Sequence, residues 1–174
     1  PSIALVAQSL KEWTAEATVP IRPFAVCSDA TAGKADTADN ATTHDVVIPA
    51  TTDPAALVEA KVHESDGETM TVVFSTYQSI EVIEAVQRKT GLTFDLVVCD
   101  EAHRTAGVAS VGEADKVFSI VHDDARIPAA KRLYMTATPR LFKPNAKDAA
   151  AEQDAVLASM DDEEFFGPEL HRLG

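Results

Sequence analysis

The chain has 174 residues, 45% of them apolar, which suits one globular domain with a real core and leaves little room for two. No apolar run approaches the roughly 18 to 20 residues of a membrane span, and no basic segment followed by an apolar one marks a secretory leader. The formal net charge is −13, which excludes a dedicated basic nucleic-acid module and restricts any nucleic-acid contact to a local site.

Short β-branched runs recur along the chain, and helical patterns lie between most of them. The opening "PSIALVAQSL" has no Met, which is expected of a processed or truncated product, and Ser2 to Val6 reads as a first strand. Gln8 to Ala17 follows as a helix. Phe24 to Cys27 is the next strand. Ser28 to Asp45, poor in large apolar residues, is expected to be a surface loop; its "NAT" at Asn40 to Thr42 matches a glycosylation sequon by chance. Val46 to Ile48 is a further short strand. Pro54 to Glu64 opens as a helix behind the capping residue Asp53. Thr71 to Ser75 is a strand, and Tyr77 to Lys89 a helix with Ile80, Ile83 and Val86 on one face. Arg88 and Lys89 occupy its last turn and Gly91 ends it, as the helix dipole and a left-handed cap favour.

Leu96 to Cys99 and Leu133 to Thr136 read as two more strands, both buried. Cys27 and Cys99 each end a strand and make no disulfide framework; they read as buried thiols in a reducing cytoplasm. Beyond Pro139, "AKDAAAEQDAVLASM" is a helix former and "DDEEFFGPELHRLG" follows it. Strands alternating with helices imply a parallel sheet covered on both faces, with ligands bound at the carboxyl ends of its strands.

The chemistry concentrates in "DLVVCDEAHRTAG", residues 95 to 107. Asp100 and Glu101 leave the end of an apolar strand, and His103 follows. In a nucleotide hydrolase a strand-end Asp holds Mg²⁺ and an adjacent Glu orients and deprotonates the attacking water. Two acids at a helix N-terminus can also be there for the dipole alone. The neighbouring strand ends sharpen the choice. "VVFSTYQS" (Val72 to Ser79) and "KRLYMTATPR" (Lys131 to Arg140) both end in hydroxyl-bearing side chains.

These clusters, in this order, resemble superfamily 2 helicases and translocases, specifically DEAD/DEAH-type ATPases like the motor subunits of type I and type III restriction enzymes. "PSIALVAQSLKEW" is similar to motif Ia, "STYQS" to motif Ib, "DEAH" to motif II and "TATPR" to motif III. The resemblance implies an α/β fold: a three-layer RecA-like domain of the P-loop NTPase type with a mainly parallel sheet, truncated at its N-terminal strand. Residues 1–142 would be the core and 143–174 a helical segment leading toward a second motor domain. The resemblance also implies ATP and Mg²⁺ as cofactors of the parent and a nucleic acid, with DNA favoured over RNA, as its partner. Asp100 would be the metal residue, Glu101 the catalytic base, and His103 the link to Thr136, Ala137 and Thr138, which couple hydrolysis to movement. Ser2, Thr76 and Gln78 would face the nucleic-acid backbone, where such groups position without reading bases. An acidic chain can do this, because few charges are needed.

A phosphate cradle of the form G-x-x-x-x-G-K-[ST] is missing. "SDATAGKA" offers Gly33 and Lys34, but Ser28 and Ala35 stand at the outer positions. "GVASVGEA" spaces Gly107 and Gly112 correctly, but Glu113 and Ala114 follow. The cradle is therefore expected before Pro1, and the chain alone is expected to be an inactive piece of the motor. The alternative is a noncatalytic nucleic-acid- or protein-binding module with a motor-like fold. A metal-dependent nuclease would need a third ligand beside the acidic pair, and Asp115 and Asp123 are the candidates. A missing cradle strand would also leave an open ladder beside Leu133 to Thr136, expected to be filled by non-native structure or by self-association.

Overall fold

The computed structural model describes residues 3–28, 50–108, 119–143 and 157–172. The chain divides into two compact units, Pro1–Leu92 and Thr93–Gly174.

The first unit opens with helix α1 (Ile3–Glu16). The reading of Ser2 to Val6 as a strand is thereby corrected. Val6 and Leu10 are buried, and they pack with Phe74. The ring of Trp13 meets Phe74 edge-on at 5.8 Å. Val6, Leu10 and Trp13 recur at helical spacing, and over so short an apolar run only that longer period separates helix from strand.

Strand β1 (Ile21–Val26) follows and pairs in parallel with β2 (Met70–Ser75), Ile21 opposite Met70 and Val26 opposite Ser75. Phe24, Ala25, Val26 and Cys27 are completely enclosed. Helix α2 (Pro54–Glu59) has the expected N-cap, with Asp53 Oδ1 accepting from the Ala55 N–H at 2.8 Å. It stops five residues short of the expected end. Lys61 turns into the left-handed region at φ 62°. The Arg22 guanidinium then takes the carbonyls of Lys61 and Glu64, so these acceptors serve β1 instead of another helical turn. After a 3₁₀ turn at Tyr77–Ser79, helix α3 (Ile80–Thr90) buries Ile80, Ile83 and Val86 and ends on Gly91 at φ 73°. The expected Val46 to Ile48 strand and nearly all of the Ser28 to Asp45 loop lie outside the described residues.

The second unit contains β3 (Val97–Cys99), β4 (Gly107–Val108), β5 (Arg132–Tyr134) and β6 (Leu157–Ala158). β3 and β5 are parallel, Val97 opposite Arg132 and Cys99 opposite Tyr134. β4 and β6 are antiparallel. A four-residue helix α4 (Glu163–Phe166) is capped by Asp162. Two expectations change here. β3 and β5 are not deeply buried: Leu96 is 51% exposed and only Cys99 is enclosed. Their ladder is three pairs long, too short to be covered along its length. Leu157 and Ala158, assigned to a helix by their alanine-rich surroundings, instead form β6, because Gly107 and Val108 offer ladder partners. The rest of that expected helix lies outside the described residues. Among the described residues β5 is hydrogen-bonded as a strand to β3 alone. No helix among the described residues is long and apolar enough to cross a membrane.

Candidate active site

The acidic pair leaves β3 at its carboxyl end. Asp100 is exposed, and one of its carboxylate oxygens accepts the Glu101 N–H at 2.9 Å. Glu101 adopts a left-handed conformation, φ 52° and ψ 41°. A side chain bearing a Cβ is disfavoured there, and such conformations persist where surrounding contacts over-determine them. Those contacts are present. Met135 N donates to Cys99 O on one side of the corner, and Ala102 N donates to Met135 O on the other, both at 2.9 Å. The backbone following β5 therefore grips the acid corner from both ends. Ala102–Thr105 then forms a 3₁₀ turn.

His103 is the point where the expected residues converge. Its Nδ1 is 2.9 Å from Thr136 Oγ1, 3.4 Å from Thr138 Oγ1 and 3.3 Å from Glu101 Oε2. Thr136 Oγ1 also accepts the Thr138 N–H at 3.2 Å, which closes the "TAT" segment on itself. Ala137 lies between them, exposed. One imidazole nitrogen thus faces a carboxylate and two hydroxyls, so the placement of the Glu101 carboxylate and the orientation of the Thr136 and Thr138 hydroxyls are mutually dependent.

The motif Ib residues lie in the first unit. Thr76 is buried, its hydroxyl 3.1 Å from Ser79 Oγ. Gln78 is exposed. Ser2 lies outside the described residues, as do Lys34 and Gly112 of the two incomplete glycine patterns. Asp115 is outside them too, and Asp123 uses a carboxylate oxygen to accept the Ala125 N–H of its own turn at 2.8 Å. Among the described residues no group of three His, Cys, Asp or Glu side chains is gathered as a metal site.

Sequence reasoning passed over Arg140. Its Nη1 donates to Ala106 O at 3.1 Å, and its guanidinium lies over the Phe142 ring at 5.0 Å. "TATPR" is thereby tied a second time to the segment that follows "DEAH", through an interaction that only the folded chain brings about.

Residues 1–141 match the family described as the type III restriction enzyme, res subunit. The chain belongs to this family. It is a piece of a superfamily 2 motor of the restriction-enzyme kind. Among solved structures it is similar to the Type ISP restriction-modification enzyme LlaGI, determined as a nuclease-deletion mutant in complex with a DNA substrate mimic. The two are 35% identical, with a TM-score of 0.73, over 100% of this chain and 12% of that one. It is also similar to LlaBIII, an ATP-dependent Type ISP restriction-modification enzyme bound to DNA, at 36% identity and a TM-score of 0.70 over 100% of this chain and 11% of that one. This motor piece therefore spans about an eighth or less of the relatives' length. No curated protein matches it.

Proposed function

We propose that the protein of which this chain is part hydrolyses ATP with Mg²⁺ and couples that hydrolysis to movement along DNA in the cytoplasm. This chain would supply the metal- and water-handling side of the site. The observation that carries the reading is the convergence of Glu101, Thr136 and Thr138 on one nitrogen of His103.

The donor set suits the cation. Asp100 and Glu101 offer hard carboxylate oxygens at an accessible strand end, and Mg²⁺ prefers a few such ligands while keeping much of its water. When bound, Mg²⁺ neutralises charge on the phosphate oxygens. Asp100 is the residue that would hold it. Glu101 would orient the attacking water and take its proton. His103 would transmit the state of Glu101 to Thr136 and Thr138, whose backbone continues from β5. The phosphate cradle, the second motor domain and further DNA contacts would come from elsewhere in the parent, so the chain alone would hydrolyse ATP negligibly.

The test is Glu101→Gln in the parent. ATP hydrolysis should fall at least about a hundredfold, the usual contribution of a positioned general base, while ATP binding persists. Wild-type turnover by the variant would remove Glu101 from the base role, and absence of turnover in the unmodified parent would leave a noncatalytic binding module as the better reading.

A further inference from the structure

A second polar chain lies behind the acid corner, and the proposed chemistry does not use it. His122 ends the 3₁₀ turn Ile120–His122. Its Nε2 is 2.9 Å from Thr105 Oγ1, and its Nδ1 is 2.9 Å from the Tyr134 hydroxyl. Thr105 Oγ1 is 2.8 Å from Ala102 O, inside the turn that follows Asp100 and Glu101.

The donors and acceptors settle the tautomer. A carbonyl only accepts, so Thr105 gives its single hydroxyl hydrogen to Ala102. At its other contact Thr105 Oγ1 must accept, and His122 Nε2 must carry a proton. Burial holds the imidazole below its usual pKa; the Phe165 backbone opposes this, the Arg132 charge adds to it, and the Thr105 backbone opposes it. On its other side the ring sets Nδ1 against the Tyr134 hydroxyl at 2.9 Å. Two hydrogen bonds then run one way: His122 to Thr105 and Thr105 to Ala102. Thr105 and Ala102 are buried at 4% and 0% exposure, so water is poorly placed to replace a lost partner.

The ring is also held on its faces and edges. It stacks on Tyr134 with centroids 5.0 Å apart and meets Phe166 nearly edge-on at 4.9 Å. Phe166 belongs to α4 and also packs on Tyr134 at 5.1 Å.

We propose that His122 is a positioning residue for the acid corner: as the Nε2–H donor to Thr105 it fixes the Ala102–Thr105 turn, and α4 fixes His122 through Phe166. The inference rests on the ATPase reading above. Glu101 is in a strained backbone conformation immediately before that turn, so its carboxylate is placed only as well as the turn is. A small displacement of a water-orienting group costs rate without costing substrate affinity.

The test compares variants in the full-length parent at saturating DNA. His122→Phe keeps the aromatic packing and loses both hydrogen bonds. It should lower kcat for ATP roughly ten- to a hundredfold with KM unchanged. His122→Gln keeps an N–H donor near the Nε2 position and should recover most of that loss, which a purely space-filling role would not require. Thr105→Val should reproduce the His122→Phe defect, Thr105→Ser should not, and the double variant His122→Phe/Thr105→Val should be no worse than either single one. Wild-type kcat in His122→Phe, or a raised KM at unchanged kcat, would overturn the proposal. If His122→Phe does not fold, the Thr105 pair decides on the same terms. Glu101→Gln separates the two levels of the argument. If it turns over ATP normally, Glu101 is not the base and this inference, which positions Glu101, falls with that role; if the unmodified parent does not hydrolyse ATP, the ATPase reading itself fails. If Glu101→Gln is inactive while His122→Phe and Thr105→Val are normal, only the positioning role fails.

Discussion

In Pro1–Leu92 the parallel ladder runs six residue pairs, and the β1 side of it ends in four enclosed residues, Phe24 to Cys27. In Thr93–Gly174 the parallel ladder runs three pairs, and both its strands are largely half-buried. The second unit makes up the difference with polar ties. Arg132 donates to the carbonyls of Val121 and Ile127 and pairs with Asp124. His103 gathers Glu101, Thr136 and Thr138, and His122 links Tyr134 to Thr105. Apolar burial is non-directional and tolerates small displacements, whereas hydrogen bonds fix atoms in place. The first unit is built as an apolar layer, and the second is built to hold a few side chains in a defined geometry.

The largest expected effect tests the apolar side of that contrast. Phe24→Ala should cost about 3–5 kcal/mol in denaturant unfolding, because a fully enclosed ring leaves a cavity. Leu133→Ala on half-buried β5 should cost about 1 kcal/mol. Equal losses at the two positions would break the comparison.

A smaller effect concerns the left-handed corner of the second unit. Glu101→Gly should be more stable than Glu101→Ala by about 0.5–1 kcal/mol, since glycine adopts φ near 52° without the Cβ clash but loses more chain entropy on folding. Alanine matching or exceeding glycine would mean that the corner is not strained.

The smallest effect asks whether the first unit has polar stability of its own. Asp66 Oδ1 accepts the N–H groups of Thr69 at 2.7 Å and Glu68 at 2.9 Å. With the Thr69 bond the larger cause, these hold its carboxyl down at about 2, against an ordinary 3.8. A folded-state value below the unfolded one contributes stability that is present above pH 3.8 and lost as pH falls through about 2. Asp66→Asn should flatten that acid limb slightly. An unchanged limb would show that the turn before β2 contributes nothing to acid stability.

Local signals were readable wherever the physics was local. Asp53 before Pro54 marked the start of α2, because an N-cap and an N1 proline act within one turn. Gly91 behind Arg88 and Lys89 marked the end of α3 for the same reason. The acid pair was readable because an apolar run ending in Asp100 and Glu101 needs only the strand it terminates. Ser2 to Val6 was misread, since a short apolar run carries no period of its own and Leu10 and Trp13 had to be counted with it. His122 left no signal. Its hydrogen-bond partners are 17 and 12 residues away in opposite directions along the chain, and Phe166 is farther still.

Sequence alone therefore determined the order of β1, α2, β2, α3, β3 and β5, the acid corner at the end of β3 and the family of motors to which it belongs. Each of these depends on side-chain type at short spacing. Tertiary structure decided which strands pair, where α2 stops, how far β3 and β5 are covered, and which nitrogen of His122 carries its proton. Those outcomes depend on where distant carbonyls, hydroxyls and rings come to rest. Arg22 can end a helix only where the fold brings Lys61 and Glu64 to it, and Thr105 can set a tautomer only where the fold brings it to His122.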